Sequence, residues 1–477
     1  MRRHPGIIVA VLAAAGISVS LMQTLVIPLI PELPTLLNTS ASNASWAITA
    51  TLLTAAVATP VFGRLGDMHG PKPILIICTV LLTIGSLIAA LSSSLLLMVV
   101  GRALQGFGMP IIPLGISVLR ASVPAHRVGT AMGLMSASLG VGGALGLPLS
   151  AVIADSFDWH ALFWFAAALG IVSGLLFAAL VPRIPSASAD RFDGPGAVGL
   201  AAGLVLLLLA ISKGGGWGWT SVTTLGMFAG SAVVLTVFGW WQLRTPMPLV
   251  DLRTTVRRPV LTTNLASIAV GFALFAMSLI GPQVLELPAS TGYGLGQSML
   301  HTGLWLAPGG LAMMVSAPVA ARIAAVRGPR FTLVIGGAVV SASYLSGLAL
   351  IQSPWQVMVF NVLVSVGVGL AFASLPALIN AAVPMSETAA ANGINALARA
   401  LGTSISSAVI GAILAGLTVT VGGAVFPTLN ALRIALVVAA GAAALATVMA
   451  LLIPARKADP ADDGETVPAG ATARTAP

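Results

Sequence analysis

The sequence predicts an all-α polytopic membrane protein: two six-helix halves with two extra helices between them, about fourteen transmembrane helices in all. Three observations carry this. The chain is 57% hydrophobic and only 7% charged, whereas about a quarter of a soluble domain is charged. Its apolar residues come in runs of roughly 20, enough for a helix to cross a hydrocarbon core about 30 Å thick. A loop pattern and the helices that follow it also recur once, in the second half of the chain.

The net charge of +9 would suggest nucleic acid in a soluble protein, but here the basic residues stand singly between apolar runs and report topology. No nucleic-acid partner is expected. Cys78, the only cysteine, falls in an apolar run, which leaves neither a disulfide framework nor a thiolate metal site. The five histidines, His4, His69, His126, His160 and His301, are scattered over loops and span ends, and no Gly-x-x-x-x-Gly-Lys-Ser/Thr loop is present to cradle a phosphate. An enzyme, a haem carrier or an ATP-driven pump is therefore not expected, and no metal or cofactor is implied.

Taken in order, the N-terminus Met1-Arg-Arg-His imitates a secretory signal, but its apolar run continues to about Ile30 and predicts an uncleaved first helix. Spans are expected at about 6–30, 44–63, 74–93, 95–119, 129–154, 161–181, 194–212, 221–242, 259–282, 299–321, 331–352, 356–381, 390–417 and 428–453. Residues 1–183 then form an N-terminal half, 184–258 a linker with the extra helices and 259–455 a C-terminal half. Residues 456–477, rich in Ala, Pro and acids, read as a disordered cytoplasmic tail. With the N-terminus inside, all basic residues but four fall on cytoplasmic segments or tails: Lys213 and Arg433 lie outside, and Arg102 and Arg399 within spans. This asymmetry requires an even number of spans and places both termini in the cytoplasm.

The bridge between the second and third spans, Thr59-Pro-Val-Phe-Gly-Arg-Leu-Gly-Asp-Met-His-Gly-Pro-Lys-Pro73, is charged where little else is. Gly63, Gly66 and Gly70 permit a sharp path, Pro71 and Pro73 start the next helix, and Arg64 and Lys72 hold the loop inside. Asp67 stands at the negative end of its own helix dipole, an unfavourable place by about 0.3–1 kcal/mol, so it requires a partner elsewhere. The helix N-terminus at Ser386-Glu-Thr388 is the expected one. The pattern returns at Ala317–Arg330: Pro60 aligns with Pro318 (318 − 60 = 258), Arg64 with Arg322, Gly70 with Gly328 and Pro71 with Pro329, while Asp67 becomes Ala325.

This bridge resembles the inter-helix motif of the major facilitator superfamily, Gly-x-Leu-x-Asp-Arg-x-Gly-Arg-Lys, through Gly63, Leu65, Asp67, Gly70 and Lys72; Met68 and Pro71 replace two basic positions. The resemblance implies two homologous halves with a substrate site near the midplane between them. With the surplus helix pair, the chain is similar to the fourteen-helix drug:proton antiporter branch. It implies a secondary transporter that exports hydrophobic or amphipathic small molecules against protons, multi-pass in a bacterial cytoplasmic membrane and expected to be a monomer in the lipid bilayer. A uniporter or importer of a metabolite, or a non-transporting membrane sensor, is the alternative.

Buried polar groups supply the site candidates. Arg102, Gln105 and Gly106 match the superfamily's fourth-helix Arg-x-x-Gln-Gly; in the family that arginine lies near a first-helix acid, but Met22 stands here where the aspartate belongs. Helix rise places Gln23 at the depth of Arg102. Asn392, Asn395, Arg399, Thr403 and Ser406 form one polar helical face, either a cavity wall or hydrogen-bond glue between helices. In the fifth span Gly129, Gly133, Gly142 and Gly146 are spaced for close helix approach and resemble, imperfectly, the exporters' antiporter motif. No acid lies deep in a span. Glu32, Asp155 and Glu286, near the outer rim, are the proton-carrier candidates, Glu32 first.

Overall fold

The computed structural model describes residues 5–26, 29, 33–39, 41–44, 46–185, 192–421 and 424–454. Long helices dominate these residues: α1 (Pro5–Thr24), α2 (Trp46–His69), α3 (Pro71–Ala90), α4 (Leu95–Ser122), α5 (Ala125–Ser156), α6 (Ala161–Leu180), α7 (Gly194–Trp217), α8 (Val222–Arg244), α9 (Arg258–Glu286), α10 (Met299–Arg327), α11 (Pro329–Gly347), α12 (Pro354–Ala382), α13 (Thr388–Gly416) and α14 (Leu429–Leu452). A 3₁₀ turn at Gly106–Gly108 interrupts α4. Among the described residues 12 helices are long and apolar enough to cross a membrane; the other two long ones are α5 and α11. α1 stops at Thr24, short of the expected Ile30, because Pro28 cannot continue a helix and restricts the residue before it.

The two halves repeat each other in detail. Gly70 has φ 83° and Gly328 φ 85°, and each is followed by a proline at the first position of α3 or α11. With ψ at 146° and 156° these are backbone states essentially restricted to glycine. The next cation does the same work in both copies. Lys72 Nζ donates to Ala178 O and Val181 O, each at 2.8 Å, at the end of α6, and Arg330 donates to Ala450 O at 3.3 Å and Leu451 O at 2.6 Å at the end of α14. A cation there satisfies carbonyls that the helix leaves unpaired.

Packing follows the same two-fold pattern. α1 packs on α5 as α9 does on α13, and α3 on α4 and α6 as α11 does on α12 and α14. The halves meet along two seams, α2 against α13 and α5 against α10. The extra helices α7 and α8 pair with each other, and α7 lies against both α2 and α13. Each half has its own apolar core.

Small residues draw α5 in on both sides. A Cβ at Gly142 would press on Ser20 Cβ at 2.6 Å and Leu21 N at 2.8 Å in α1, and one at Gly133 would stand 3.0 Å from Ala373 Cβ of the opposite half. Gly129 corrects the expected pairing: nothing comes within 4 Å of its Cβ position, so at that end of α5 no neighbour requires a glycine. Among the described residues the all-α expectation has one exception, an antiparallel hairpin of Thr418–Val421 with Ala424–Pro427. The Tyr293 hydroxyl donates to its Pro427 carbonyl.

Candidate functional site

At the face that carries the α2–α3 turn, here the basic face, the halves are joined by hydrogen bonds. Asp67 is only 4% exposed; its Oδ1 accepts from Ala389 N at 3.1 Å and Oδ2 from Ala390 N at 2.8 Å. These are first-turn N–H groups of α13, which have no acceptor within their own helix and meet the anion at the positive end of the dipole. Gly63 makes the approach possible, since a Cβ there would lie 2.8 Å from Ala389 O. Thus Asp67 meets the helix N-terminus that the sequence assigns to it.

Arg120, at the end of α4, is a second bridge that sequence reasoning missed. Its Nη1 donates to Thr388 Oγ1 at 2.5 Å and its Nη2 to Asn380 O at 2.8 Å and Val383 O at 3.4 Å, so one guanidinium holds the end of α12 and the start of α13. Asn392 belongs to this cluster too. Its Nδ2 donates to Asn380 Oδ1 at 2.6 Å and Thr388 O at 2.8 Å, and Asn380 Nδ2 in turn reaches Met132 Sδ of α5 at 3.4 Å. The other members of the motif do different work. Gly70 makes the turn, Lys72 caps α6, and Arg64, 8% exposed, lines a cavity of about 330 Å³ with Asp251, Glu387 and the 246–250 segment.

That segment is held by an aspartate whose role the sequence did not disclose. Asp193 accepts from Gly196 N at 2.9 Å, Trp241 Nε1 at 3.1 Å, Gln242 Nε2 at 2.7 Å and Leu249 N at 3.4 Å, and Gln242 Oε1 accepts from Val250 N at 3.1 Å. Burial pushes its carboxyl up, but these hydrogen bonds outweigh burial and hold it below the ordinary aspartate range. The extra helix pair is thereby tied to the edge of the α2–α13 seam.

Deeper in, Arg102 is satisfied within the N-terminal half. Nε donates to Ala47 O at 3.0 Å, and Nη1 to Met22 O at 3.5 Å and Gln105 Oε1 at 2.7 Å; Gln105 Nε2 continues to Ser86 Oγ at 2.8 Å. The shared depth of Gln23 and Arg102 does not become a bond: the arginine takes the carbonyl of neighbouring Met22, and Gln23 Nε2 is buried without a partner. In the C-terminal half Arg399 Nη1 donates to Asn395 Oδ1 at 2.7 Å, and Asn395 Nδ2 donates to Asn264 Oδ1 at 3.0 Å and Ser267 Oγ at 2.6 Å of α9. The polar face of α13 therefore divides into Asn392 at the seam and Asn395 with Arg399 further in.

Among the proton-carrier candidates, Glu286 is exposed at the last residue of α9. Glu32 and the side chain of Asp155 lie outside the described residues. Asp158 accepts from His160 N at 2.9 Å, which with the His160 ring holds its carboxyl below the usual range.

Two helical repeats joined along two seams, with hydrogen-bonded closure at one face, define a membrane transporter of the two-half type. The comparisons give the family: the Major Facilitator Superfamily profile matches residues 12–407 and, in a second match, 266–475, and the chain belongs to that superfamily. It is 28% identical over 421 residues to the uncharacterized MFS-type transporter YvkA of Bacillus subtilis, covering 86% of this chain and 91% of that one. With the lincomycin resistance protein LmrB of Listeria monocytogenes it shares 25% identity over 413 residues, 85% of this chain and 86% of the relative. With the multidrug resistance protein Stp of Mycobacterium tuberculosis it shares 27% over 378 residues, 78% and 68% of the two. The fold matches that of the proton:xylose symporter XylE, with a TM-score of 0.67 at 15% identity over 94% of this chain and 96% of that one. It also matches the human organic anion transporter MFSD10, with a TM-score of 0.65 at 15% identity over 94% and 100%.

Proposed function

We propose that the protein exports hydrophobic or amphipathic small molecules from the cytoplasm by alternating access coupled to proton antiport, as a monomer with fourteen spans and both termini in a bacterial cytoplasm. The observation that carries the alternating-access part is the Asp67 contact with Ala389 and Ala390, a polar closure between halves at the basic face. Its counterpart in the second repeat, on the same basic face, has Ala325 in place of the aspartate, so the two seams close at that face by different means. Relatives named for lincomycin and multidrug resistance support export. Met22 withholds the first-helix carboxylate, so proton exchange falls to an acid nearer the outer rim, Glu32 before Asp155 and Glu286.

The test is uptake into proteoliposomes under an imposed pH gradient, with a panel of cationic, neutral and anionic amphipaths. Gradient-driven accumulation is expected for the parent. Glu32→Gln is expected to lose it while keeping substrate exchange without a gradient. A parent that moves substrate equally well with the gradient collapsed is a uniporter, and the antiport reading then falls.

A further inference from the structure

Besides Arg64 at the basic face, two arginines are buried deeper in the bundle among the described residues, and they are not alike. Arg102 spends its donors on two backbone carbonyls and an amide oxygen. Arg399 is 8% exposed and has one hydrogen bond, to Asn395, with the Phe372 ring centroid 5.2 Å from its guanidinium carbon. No carboxylate pairs with it among the described residues. A guanidinium has five N–H donors, and Arg399 Nε and Nη2 have no acceptor among the described residues. Arg399 stands 11 residues into α13 (399 − 388), which at 1.5 Å per residue is about 16 Å from the basic-face end of the helix, well inside the hydrocarbon depth.

The surroundings hold this charge in place without neutralising it. Asn395 is fully buried, and its amide nitrogen is committed to Asn264 and Ser267, which turns its oxygen toward the guanidinium and leaves the rest of the fork free. The ring of Phe372 flanks the cation, a contact that tolerates positive charge but cannot replace an anion. Arginine at such a depth is unfavourable on insertion scales, and a planar fork with free donors matches a carboxylate in two-point geometry.

We propose that Arg399 anchors a subsite for the carboxylate of an amphipathic organic anion, with Asn395 as its positioning residue. The proposal rests on the export reading for its physiological direction and narrows the substrate class of that reading. An apolar body is required of the ligand because a bare carboxylate would have to give up its hydration to reach this depth.

The experiment is fluorescence titration of the full-length protein in detergent at neutral pH with dansyl-labelled undecanoate and with its methyl ester. The parent is expected to bind the carboxylate about tenfold more tightly than the ester. Arg399→Gln is expected to remove that preference while leaving the ester affinity within about twofold, and Arg399→Lys to keep part of it. Equal binding of the two probes by the parent overturns the proposal, whatever the variants do. So does a preference that survives Arg399→Gln. Carboxylate binding that depends on Arg399 but is followed by no uptake in proteoliposomes upholds the subsite and removes the export reading instead.

Discussion

A carboxylate whose two oxygens each accept a backbone N–H from the opposite half can be tested by changing one atom. Asp67→Asn keeps the volume but leaves one acceptor oxygen, and it turns an amide NH₂ toward the second α13 donor. Hydrogen bonds to a charged group are worth about 1.5–3 kcal/mol, so turnover in proteoliposomes is expected to fall roughly tenfold or more while the protein stays folded. Unchanged turnover in that variant would reduce the α2–α3 turn to a topology signal. Asp67 was legible in the sequence because its own helix end disfavours it. Arg120 was not, since a cation at a basic-face helix end satisfies the positive-inside pattern whether or not it bridges the halves. Gln23 misled because equal depth fixes height along the membrane normal and leaves rotation about the helix axis open.

At the scale of an element, α5 sorts its glycines by what faces them. A methyl at Gly142 meets backbone and Cβ atoms of α1, and a methyl at Gly129 meets nothing. Gly142→Ala is therefore expected to lower the thermal midpoint in detergent by several degrees, because α1 must move as a unit. Gly129→Ala is expected to leave it unchanged or raise it slightly through helix propensity, worth up to about 1 kcal/mol. Equal effects of the two substitutions would mean that spacing alone, not contact, governs this helix. The spacing was visible in the sequence, but which glycines face a neighbour depends on the angle of α5 to α1 and α10. The Gly-Pro turns before α3 and α11 were fully legible, since they rest on local stereochemistry repeated at a fixed offset. Asp193 was not: its four partners come from α7, α8 and the segment that follows them, and no local pattern announces that they converge.

For the whole molecule, alternating access requires that the α2–α13 seam part at the basic face in every cycle, and a covalent link there decides whether it does. A Cβ built at Gly66 lies 3.9 Å from Ala389 Cβ, close to the mean of about 3.8 Å found across disulfides. The atom it displaces is the end of the Leu114 side chain, which can turn aside. Cys78 is the only native cysteine and is buried, so Cys78→Ala supplies a background without competing thiols. In that background Gly66→Cys with Ala389→Cys is expected to transport when reduced, to stop when oxidised and to recover on reduction. Each single variant should be indifferent to oxidant. The link joins the halves beside the Asp67 contact without touching Arg102 or Arg399, so a block that reverses on reduction reports closure of the seam, not damage to a binding group. Sustained turnover in the oxidised double variant, with the cross-link verified by mass, would show that the halves do not separate here, and the mechanism would have to open the bundle along α5 and α10 instead.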